Sequence, residues 1–400
     1  MRKTGALLNV LCLALYETGL TALGTFFTNT RLIGVRDSPL KGPLLVAGVT
    51  LWPLAGLVDA LASGGLGGFL RSLAGPPSWR RAWRAALTLH GARYLLQEAY
   101  RHRHPLPLPQ EVTTGPSRTY DCREDVARAE GIELEGIKGW MFRVNEIYEL
   151  EVTTHEVRLS RLPPQFDGFT IAQVSDLHYG IGESSEFVRR YVRLTLDMRP
   201  DLVALTGDFQ HYTRHIWGAA RLLAPVGEWS RRERGGLGAL AVLGNHDTWS
   251  GTPEVTNALR EVGIMVLNNR HVVLERAGAS LYVVGVADPW SLRADLARAL
   301  HGVPEDACKL LLAHVPDFLV DAASAGVDLQ LSGHMHGGQI TLPWVGPVLS
   351  PSRYNRRYVA GWHKRDRTLM YVCRGLGGHP PIRLGCKPEI ALITLRSANK

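Results

Sequence analysis

The hydrophobic pattern of this 400-residue chain changes near residue 147. The N-terminal part holds long apolar stretches, whereas the C-terminal part holds short apolar runs that alternate with segments of helical spacing. Short apolar runs bounded by turn residues are typical of buried strands, and strands that alternate with helices predict an α/β domain. We therefore predict an α/β domain over 147–400, preceded by a membrane-anchoring region, 1–104, and a connecting segment, 105–146.

Most of these short apolar runs end in a side chain that can bind a metal or move a proton. Strands are predicted over 169–175, 202–206, 239–243, 282–286 and 310–313, and over the run that ends at Leu331. The polar side chains that follow them are, in chain order, Asp176, His178, Asp208, Asn245, His246, His314, His334 and His336. Because sites in open α/β sheets assemble at the carboxyl ends of strands, we expect these side chains to meet.

Three further elements are predicted in the same domain. Residues 149–159 partly alternate polar and apolar positions, which indicates an exposed or edge strand. Residues 184–198 have helical spacing. A second helix is expected to begin with Thr252 as its N-cap and Pro253 at its first position, because this pair favours a helix start.

His334 and His336 are separated by a single residue at the end of a buried run. Side chains alternate between the faces of a strand, so residues two apart point the same way. Both imidazoles are therefore expected to reach one site beyond the strand end. A His-x-His pair alone is a weak signal, and a loop with two solvated histidines is the alternative until partners are found.

Two apolar stretches near the N-terminus are candidate transmembrane helices. They cover 5–27, which contains Glu17, and 44–62, which contains Asp59. About 20 apolar residues span a bilayer, although a carboxylate within the span is costly. A signal peptide is the alternative for the first stretch. The positive-inside rule favours a hairpin with both ends in the cytoplasm, so we expect anchoring in the cell membrane and a cytoplasmic C-terminal domain.

Residues 79–100 are predicted to form a helix that lies in the membrane interface. Its apolar positions include Trp79, Trp83 and Tyr94, and arginines such as Arg80 stand beside them. Such a helix places its apolar side in the acyl boundary and its cations against anionic headgroups. The alternative is a solvated helix that packs on the C-terminal domain.

The net charge of +8 is concentrated in arginines between residues 71 and 103. A basic stretch fits nucleic acid, a membrane surface or a phosphate-bearing substrate. Its place beside the apolar stretches favours the membrane, and no nucleic-acid partner is expected. The five cysteines form no Cys-x-x-Cys, which argues against a zinc ribbon or a disulfide scaffold and fits a reducing compartment.

The candidate ligands are carboxylates, imidazoles and an amide, without a thiolate. Such ligands suit Mn²⁺, Fe or Zn²⁺. A hydrolytic site with two metals is favoured, because two ions about 3.5–4 Å apart can hold the attacking and leaving oxygens of a displacement at phosphorus.

The order of these motifs resembles the calcineurin-like metallophosphoesterase superfamily over residues 150–395. Asp-x-His, Gly-Asp, Gly-Asn-His-Asp, a lone His and Gly-His-x-His follow one another, each after a predicted strand. The resemblance implies a four-layer αββα sandwich of two mixed sheets flanked by helices. It also implies two divalent metal ions, with Mn²⁺ favoured over Fe or Zn²⁺.

Carried over residue by residue, the resemblance assigns a role to every motif. Asp176, His178 and His336 would hold the first metal, Asn245, His314 and His334 the second, and Asp208 both. A hydroxide that bridges the metals would attack phosphorus, and His246 would assist the leaving group. Three weaker candidates for substrate contact are His211, Gln339 and His379.

The longer motif Gly-His-Met-His-Gly-Gly-Gln, with Ile382-Arg383-Leu384-Gly385, resembles a bacterial branch anchored in the membrane. Some neighbours of this branch cleave the pyrophosphate of UDP-diacylglucosamine, which implies a phosphodiester or pyrophosphate of a lipid or nucleotide-sugar-lipid as substrate. Protein Ser/Thr phosphatases instead carry Gly-Asp-x-x-Asp-Arg-Gly. Here His211 takes the place of an acid that orients the catalytic histidine in relatives, and the arginine is missing.

Two other functions remain open at this stage. A metal-dependent nuclease or nucleotide phosphodiesterase would use the same ligands. A non-catalytic metal-binding membrane scaffold would keep the ligands without turnover. No protein partner can be inferred from the sequence.

Overall fold

The computed structural model describes residues 107–181, 184–291, 293–343, 346–347 and 355–398. The candidate spans 5–27 and 44–62 and the candidate interfacial helix 79–100 lie outside these residues. Among the helices of the described ranges, none has the length and apolar character that a bilayer crossing requires.

The described residues form strands of two to eleven residues. In chain order they are β1 (Val112–Thr114), β2 (Arg118–Asp121), β3 (Glu149–Leu159), β4 (Thr170–Val174), β5 (Leu202–Leu205), β6 (Ala239–Ala241), β7 (Met265–Val266), β8 (Arg270–Arg276), β9 (Ala279–Gly285), β10 (Lys309–Leu312), β11 (Leu329–Ser332), β12 (Thr341–Leu342), β13 (Gly346–Pro347), β14 (Gly361–Arg365), β15 (Thr368–Val372) and β16 (Glu389–Ser397).

Helices lie between many of these strands. The α-helices of the described residues are α1 (Arg123–Glu130), α2 (Gly136–Val144), α3 (Ser185–Asp197), α4 (Ile216–Arg234), α5 (Asn245–Glu261), α6 (Leu296–Ala299) and α7 (Leu319–Ser324). The helix predicted over 184–198 is thus confirmed as α3, whose N-cap is Ser184 with its hydroxyl accepting the N–H of Glu186.

Two mixed sheets form the centre of the fold. Within the described residues, the first sheet has eight strands in the order β1-β3-β16-β4-β5-β6-β7, and β2 also pairs with β3. The second sheet has six, in the order β14-β15-β11-β10-β9-β8. Strands β4 to β7 are parallel to one another, and so are β9, β10, β11 and β15. Each sheet therefore gathers the carboxyl ends of its parallel strands at one edge.

The alternation of side chains along the strands separates the core into layers. In β5, Leu202 and Ala204 pack with residues of the second sheet, whereas Val203 and Leu205 pack with helices α3 and α4. In β10, Leu311 faces the smaller apolar cluster outside the second sheet. Two sheets packed face to face and covered by helices are the predicted αββα sandwich, which is confirmed for the described residues.

The predicted connecting segment, 105–146, contributes two strands to the first sheet. Both β1 and β2 pair antiparallel with β3, so the sheet begins ahead of residue 147. These strands are short and mostly exposed, and they lack the apolar alternation that would have marked them in the sequence.

Helix α5 begins earlier than predicted. Its first residue is Asn245, and the backbone leaves the helical conformation at Gly251, where φ is 121° and ψ is 100°. The segment after this kink starts where Thr252 and Pro253 predict it. The short segment before the kink carries the Gly-Asn-His-Asp motif and was not recognisable from periodicity, because it is less than two turns long.

Candidate metal centre

The carboxyl ends of five parallel strands, three in the first sheet and two in the second, bring seven predicted ligands together. One cluster contains Asp176 and His178, which follow β4, and His336, which follows β11; their ligand atoms lie within 4.8 Å of one another. The Nε2 atoms of His178 and His336 are 3.1 Å apart. Because these residues come from both sheets, the cluster forms only where the two sheets meet.

A second cluster contains Asp208, His314 and His334, with ligand atoms again within 4.8 Å of one another. Nε2 of His314 lies 3.2 Å from Nδ1 of His334 and 3.3 Å from Oδ1 of Asn245. Asn245, at the start of α5, therefore joins this cluster as a fourth polar group.

Asp208 lies between the two clusters. Its Oδ2 atom is 3.5 Å from Nε2 of His178 in the first cluster and 3.3 Å from Nε2 of His314 in the second. The carboxylate is almost completely buried. One side chain with two oxygens and a negative charge thus touches both clusters, as a ligand shared by two cations must.

Five of these ligand candidates have a left-handed backbone. The φ angles are 53° for Asp176, 48° for His178, 57° for Asp208, 69° for His334 and 49° for His336. Residues other than glycine adopt this conformation rarely, and strained backbone of this kind clusters at functional sites. The local sequence alone does not favour it, so the surrounding packing must hold it.

The prediction that His334 and His336 share a strand face is wrong, although both reach the centre. Strand β11 ends at Ser332, and His336 opens a short 3₁₀ turn that continues to Gly338. The left-handed backbone at both histidines, rather than strand alternation, directs one imidazole into each cluster. The sequence could not show this, because the run of apolar residues does not mark the strand end to within a residue.

Two glycines of the motifs are required by close packing. A Cβ atom on Gly333 would lie 1.9 Å from the Ser175 hydroxyl oxygen and 2.3 Å from Oδ2 of Asp176. A Cβ atom on Gly244 would lie 2.2 Å from Oδ1 of Asp208. Any side chain at either position would displace a carboxylate of the centre.

Burial and neighbouring charges control the protonation of the centre. Burial lowers the pKa of His334 and of His336 to about 3, so both imidazoles are neutral and able to bind a cation. Burial also disfavours the charged form of His314, but the adjacent Asp208 outweighs it and raises the pKa of His314 to about 10. A metal ion held by His314 and Asp208 would take the place of this proton, because a ligand must be deprotonated to bind a metal.

The residues present fit a pair of divalent cations. The backbone oxygen of Thr206 lies 2.7 Å from Nδ1 of His314, and that of Gly377 lies 3.3 Å from Nδ1 of His336. These carbonyls accept the ring N–H and leave each Nε2 lone pair directed at the centre, as in metal-binding histidines. The ring nitrogens that converge on the clusters are Nε2 of His178 and of His336, 3.1 Å apart, and Nε2 of His314 and Nδ1 of His334, 3.2 Å apart. Buried nitrogen lone pairs that face one another at these distances are costly without a cation.

The predicted catalytic histidine lies directly beside both clusters. The backbone N–H of His246 donates to Oδ1 of Asp208 at 2.9 Å, and its ring centroid lies 4.7 Å from that of His178. The ring of His211 packs 4.4 Å from that of His246, and His379 stacks on His211 at 4.6 Å. The position at which the resemblance predicts an acid is therefore filled by a stacked imidazole.

Gln339 lies at the same edge but is engaged with the backbone. Its side-chain oxygen accepts the N–H of His379 at 3.1 Å, and its amide N–H donates to the carbonyl of Pro380. Gln339 thus holds the loop that carries His379. The His379 ring stacks on His211, whose ring in turn packs against those of His178 and His246.

Comparison with known proteins agrees with this geometry. Residues 169–338 match the sequence pattern of the calcineurin-like phosphoesterase family. The metallophosphoesterase YkuE of Bacillus subtilis is 33% identical over 267 residues, which cover 64% of this chain and 89% of that protein. The phosphodiesterase YaeI of Escherichia coli is 30% identical, with 57% of this chain and 82% of that protein covered. The chain belongs to the calcineurin-like phosphoesterase family.

A more distant relative in this family is the UDP-2,3-diacylglucosamine pyrophosphatase LpxG of Chlamydia trachomatis. It is 24% identical to this chain, with 61% of the chain and 88% of that protein covered. The chain is thus a metal-dependent phosphoester hydrolase, as its motifs predict, and its relatives include enzymes named for diester and for pyrophosphate cleavage.

The phosphoesterase motifs contain one residue whose role was not predicted. Asp247 follows His246 and is completely buried. Its carboxylate accepts the backbone N–H groups of Asp208, Phe209 and Gly244 at 2.7, 2.9 and 2.9 Å. It therefore fixes the turn that holds Asp208. Only its place in the motif can be read from the sequence, because contacts to backbone N–H groups 38 and 39 residues away leave no local pattern.

The C-terminal segment holds the backbone next to the first cluster through one buried arginine. The buried guanidinium of Arg383 donates to the backbone oxygens of Gly377, Arg374, His336 and Cys386. Gly377 is the residue whose oxygen also lies against the His336 ring. The Arg383 motif, which in the sequence only resembles that of a membrane-anchored branch, thus holds the loop next to the first cluster.

Proposed function

We propose that this protein hydrolyses a phosphodiester or a pyrophosphate with two divalent metal ions held by the two clusters. The observation that carries the proposal is the position of Asp208, whose carboxylate lies within 3.5 Å of one histidine of each cluster. The first ion would be held by Asp176, His178 and His336, and the second by Asn245, His314 and His334. Bound divalent ions supply Lewis acidity and a nucleophile at neutral pH.

His246 is the residue that would protonate the leaving oxygen. It is the half-buried imidazole beside both clusters, and its backbone is fixed to Asp208. Burial lowers its pKa, against the opposing charge of Asp208. A general acid must lie within reach of the leaving oxygen, and a place next to the shared carboxylate meets that requirement.

The substrate class is supported by three observations. The relatives include proteins named phosphodiesterase YaeI and UDP-2,3-diacylglucosamine pyrophosphatase LpxG. The arginine of the protein Ser/Thr phosphatase motif is missing after Asp208. The apolar stretches 5–27 and 44–62 favour attachment to a membrane. A lipid-linked phosphodiester or nucleotide-sugar-lipid diphosphate, reached from the cytoplasmic face, fits all three.

Hydrolysis of bis-p-nitrophenyl phosphate by the purified full chain tests the proposal. We expect turnover to require added Mn²⁺, to stop with a chelator and to return when Mn²⁺ is restored. Asp208→Asn should abolish it, whereas Asp197→Asn, the same change at an exposed position of α3, should not. Activity that survives both chelation and Asp208→Asn would contradict the mechanism.

A second experiment addresses the substrate. Rates are compared at equal Mn²⁺ for a diester, a monoester, a nucleotide diphosphate-sugar and a lipid phosphate presented in vesicles. The proposal predicts that the diester or diphosphate is preferred over the monoester. Double-stranded DNA is included as a fifth substrate, and a preference for it over the other four would instead support the nuclease alternative.

A further inference from the structure

Two tryptophans beside the metal centre are exposed to solvent although each lies against one of its histidines. Trp249 is 61% exposed, and its ring centroid lies 4.9 Å from that of His246. Trp290 is 38% exposed and lies 6.2 Å from the ring of His334. Large exposed aromatic side chains next to a polar site mark a surface that binds a ligand.

Both tryptophans are held by defined elements. Trp249 follows His246 by three residues in the short helical segment before the Gly251 kink, so helical spacing places the two rings on one side. Trp290 lies in the 3₁₀ turn Pro289–Ser291 after β9, and its backbone N–H donates to Oδ2 of the buried Asp288 at 3.1 Å.

The two rings form a corner. Their centroids are 6.3 Å apart, and their planes are nearly perpendicular at 84°. Trp249 adjoins the proposed general acid, whereas Trp290 adjoins the second cluster. The two rings are thus in edge-to-face contact and form one aromatic surface, the Trp249–Trp290 corner, over which a group attached to a phosphate in the centre can extend.

We propose that the Trp249–Trp290 corner binds a planar heteroaromatic substituent of the substrate, of the nucleobase class. This inference rests on the proposed phosphoesterase function and narrows its substrate to a nucleotide derivative. A flat ring that stacks on one indole presents its edge to the other, and aromatic groups favour both arrangements. An acyl chain buries apolar area against any apolar wall and does not use the perpendicular arrangement of the rings, which favours a flat aromatic group.

The binding contribution of the ring can be isolated with two phosphates that differ only in the base. Uridine 5′-monophosphate and ribose 5-phosphate are titrated calorimetrically into the full-length protein with Mn²⁺, so that the measurement does not depend on turnover. Stacking of a base on an aromatic side chain should make the uridine nucleotide bind about 5- to 150-fold more tightly. Trp249→Ala and Trp290→Ala should each remove much of this ratio and leave the ribose 5-phosphate affinity unchanged.

Trp217 provides the matched control, because it is 45% exposed on α4 and has no ring contact with the centre among the contacts of the described residues. Trp217→Ala should preserve the ratio. Equal affinities for the two phosphates in the wild-type protein, or a ratio that survives both tryptophan variants, would overturn the inference.

Dodecyl phosphate tests the alternative that the corner binds an acyl chain. If the tryptophan variants weaken the binding of dodecyl phosphate and not that of the nucleotide, the corner holds an acyl chain instead. If the wild-type protein shows the predicted difference in affinity between the two phosphates but no Mn²⁺-dependent hydrolysis, the proposed function is overturned and the inference about the corner stands.

Discussion

The carboxylate of Asp247 accepts the backbone N–H of Asp208 at 2.7 Å, so one buried acid holds the main chain of another. The same carboxylate also accepts the N–H groups of Phe209 and Gly244. Three donors directed at one carboxylate keep Asp208 in its left-handed conformation, with φ of 57°. Asp247 is thus a positioning residue for the carboxylate that lies between the two clusters.

Asp247→Asn should weaken metal binding without removing a ligand. The amide nitrogen cannot accept a hydrogen bond, so it would face a backbone N–H with a second donor. Loss of such a supporting partner lowers metal affinity by about 10- to 100-fold. Calorimetric titration with Mn²⁺ measures the change, and Asp197→Asn is the control on the surface. An unchanged affinity for Mn²⁺ would show that the turn keeps Asp208 in place without the Asp247 carboxylate.

His246→Ala should affect substrates according to their leaving group. A general acid contributes about 10²- to 10⁴-fold when the leaving oxygen needs a proton, and much less when it leaves as a stable anion. We therefore expect a large fall in kcat/KM for an alkyl phosphodiester and a small one for a p-nitrophenyl ester. His301→Ala, at an exposed position, should leave both values unchanged. Equal losses for the two esters would assign His246 to charge stabilisation rather than proton donation.

Glu389 should make stability depend on pH. Burial raises the cost of its charge, but Arg374 and the hydroxyl of Tyr371 outweigh this cost and lower the pKa from 4.5 to about 2. A lowered folded-state pKa stabilises the fold fully above pH 4.5, and this contribution disappears as the pH falls towards 2. The shift corresponds to about 3 kcal/mol of free energy of unfolding.

Glu389→Gln should therefore lose about 3–5 kcal/mol at neutral pH, because Arg374 loses a buried partner. Its free energy of unfolding should also fall less steeply than that of the wild type between pH 5 and pH 3. Urea unfolding at a series of pH values measures both, with Glu305→Gln as the exposed control. If the free energy of unfolding falls equally steeply with pH in the variant and the wild type, residues other than Glu389 cause the loss of stability in acid.

Arg383→Lys should destabilise the loop behind His336. A single ammonium cannot reach the several backbone oxygens that the guanidinium fork bonds, and each buried carbonyl left unpaired costs about 1–3 kcal/mol. We expect a lower Tm and weaker Mn²⁺ binding, since the Gly377 carbonyl that orients His336 would be released. Arg298→Lys, at an exposed position, should change neither the Tm nor the affinity for Mn²⁺. Full Mn²⁺ affinity together with a lowered Tm would restrict Arg383 to a structural role.

The sequence was informative where chemistry and pattern coincide. The apolar runs of β4, β5, β6, β10 and β11 were recognised, and so were the polar residues that follow them, because buried parallel strands and site residues at their ends leave a local signal. The same reasoning predicts that Asp176, Asp208 and His314 lie close together.

Features that depend on contacts distant in sequence were not recognised. The left-handed backbone of His334, the three donors on Asp247 and the carbonyl cluster around Arg383 are all set by tertiary packing. Trp249 and Trp290 cannot be identified as site residues from the sequence for another reason. Exposure decides whether an aromatic residue belongs to the core or to a binding surface. Exposure depends on which face of an element is covered, and this is not visible in the sequence.

The strand order of the first sheet has a consequence for how the protein is made. Strand β16 lies at the centre of that sheet, parallel to β3 and antiparallel to β4, although it is formed by residues 389–397. During translation, β3 and β4 leave the ribosome more than 200 residues before the strand that must separate them. Until then their facing edges are open to other chains. We expect that a nascent chain halted before residue 389 needs a chaperone to stay soluble, whatever the state of its metal ligands.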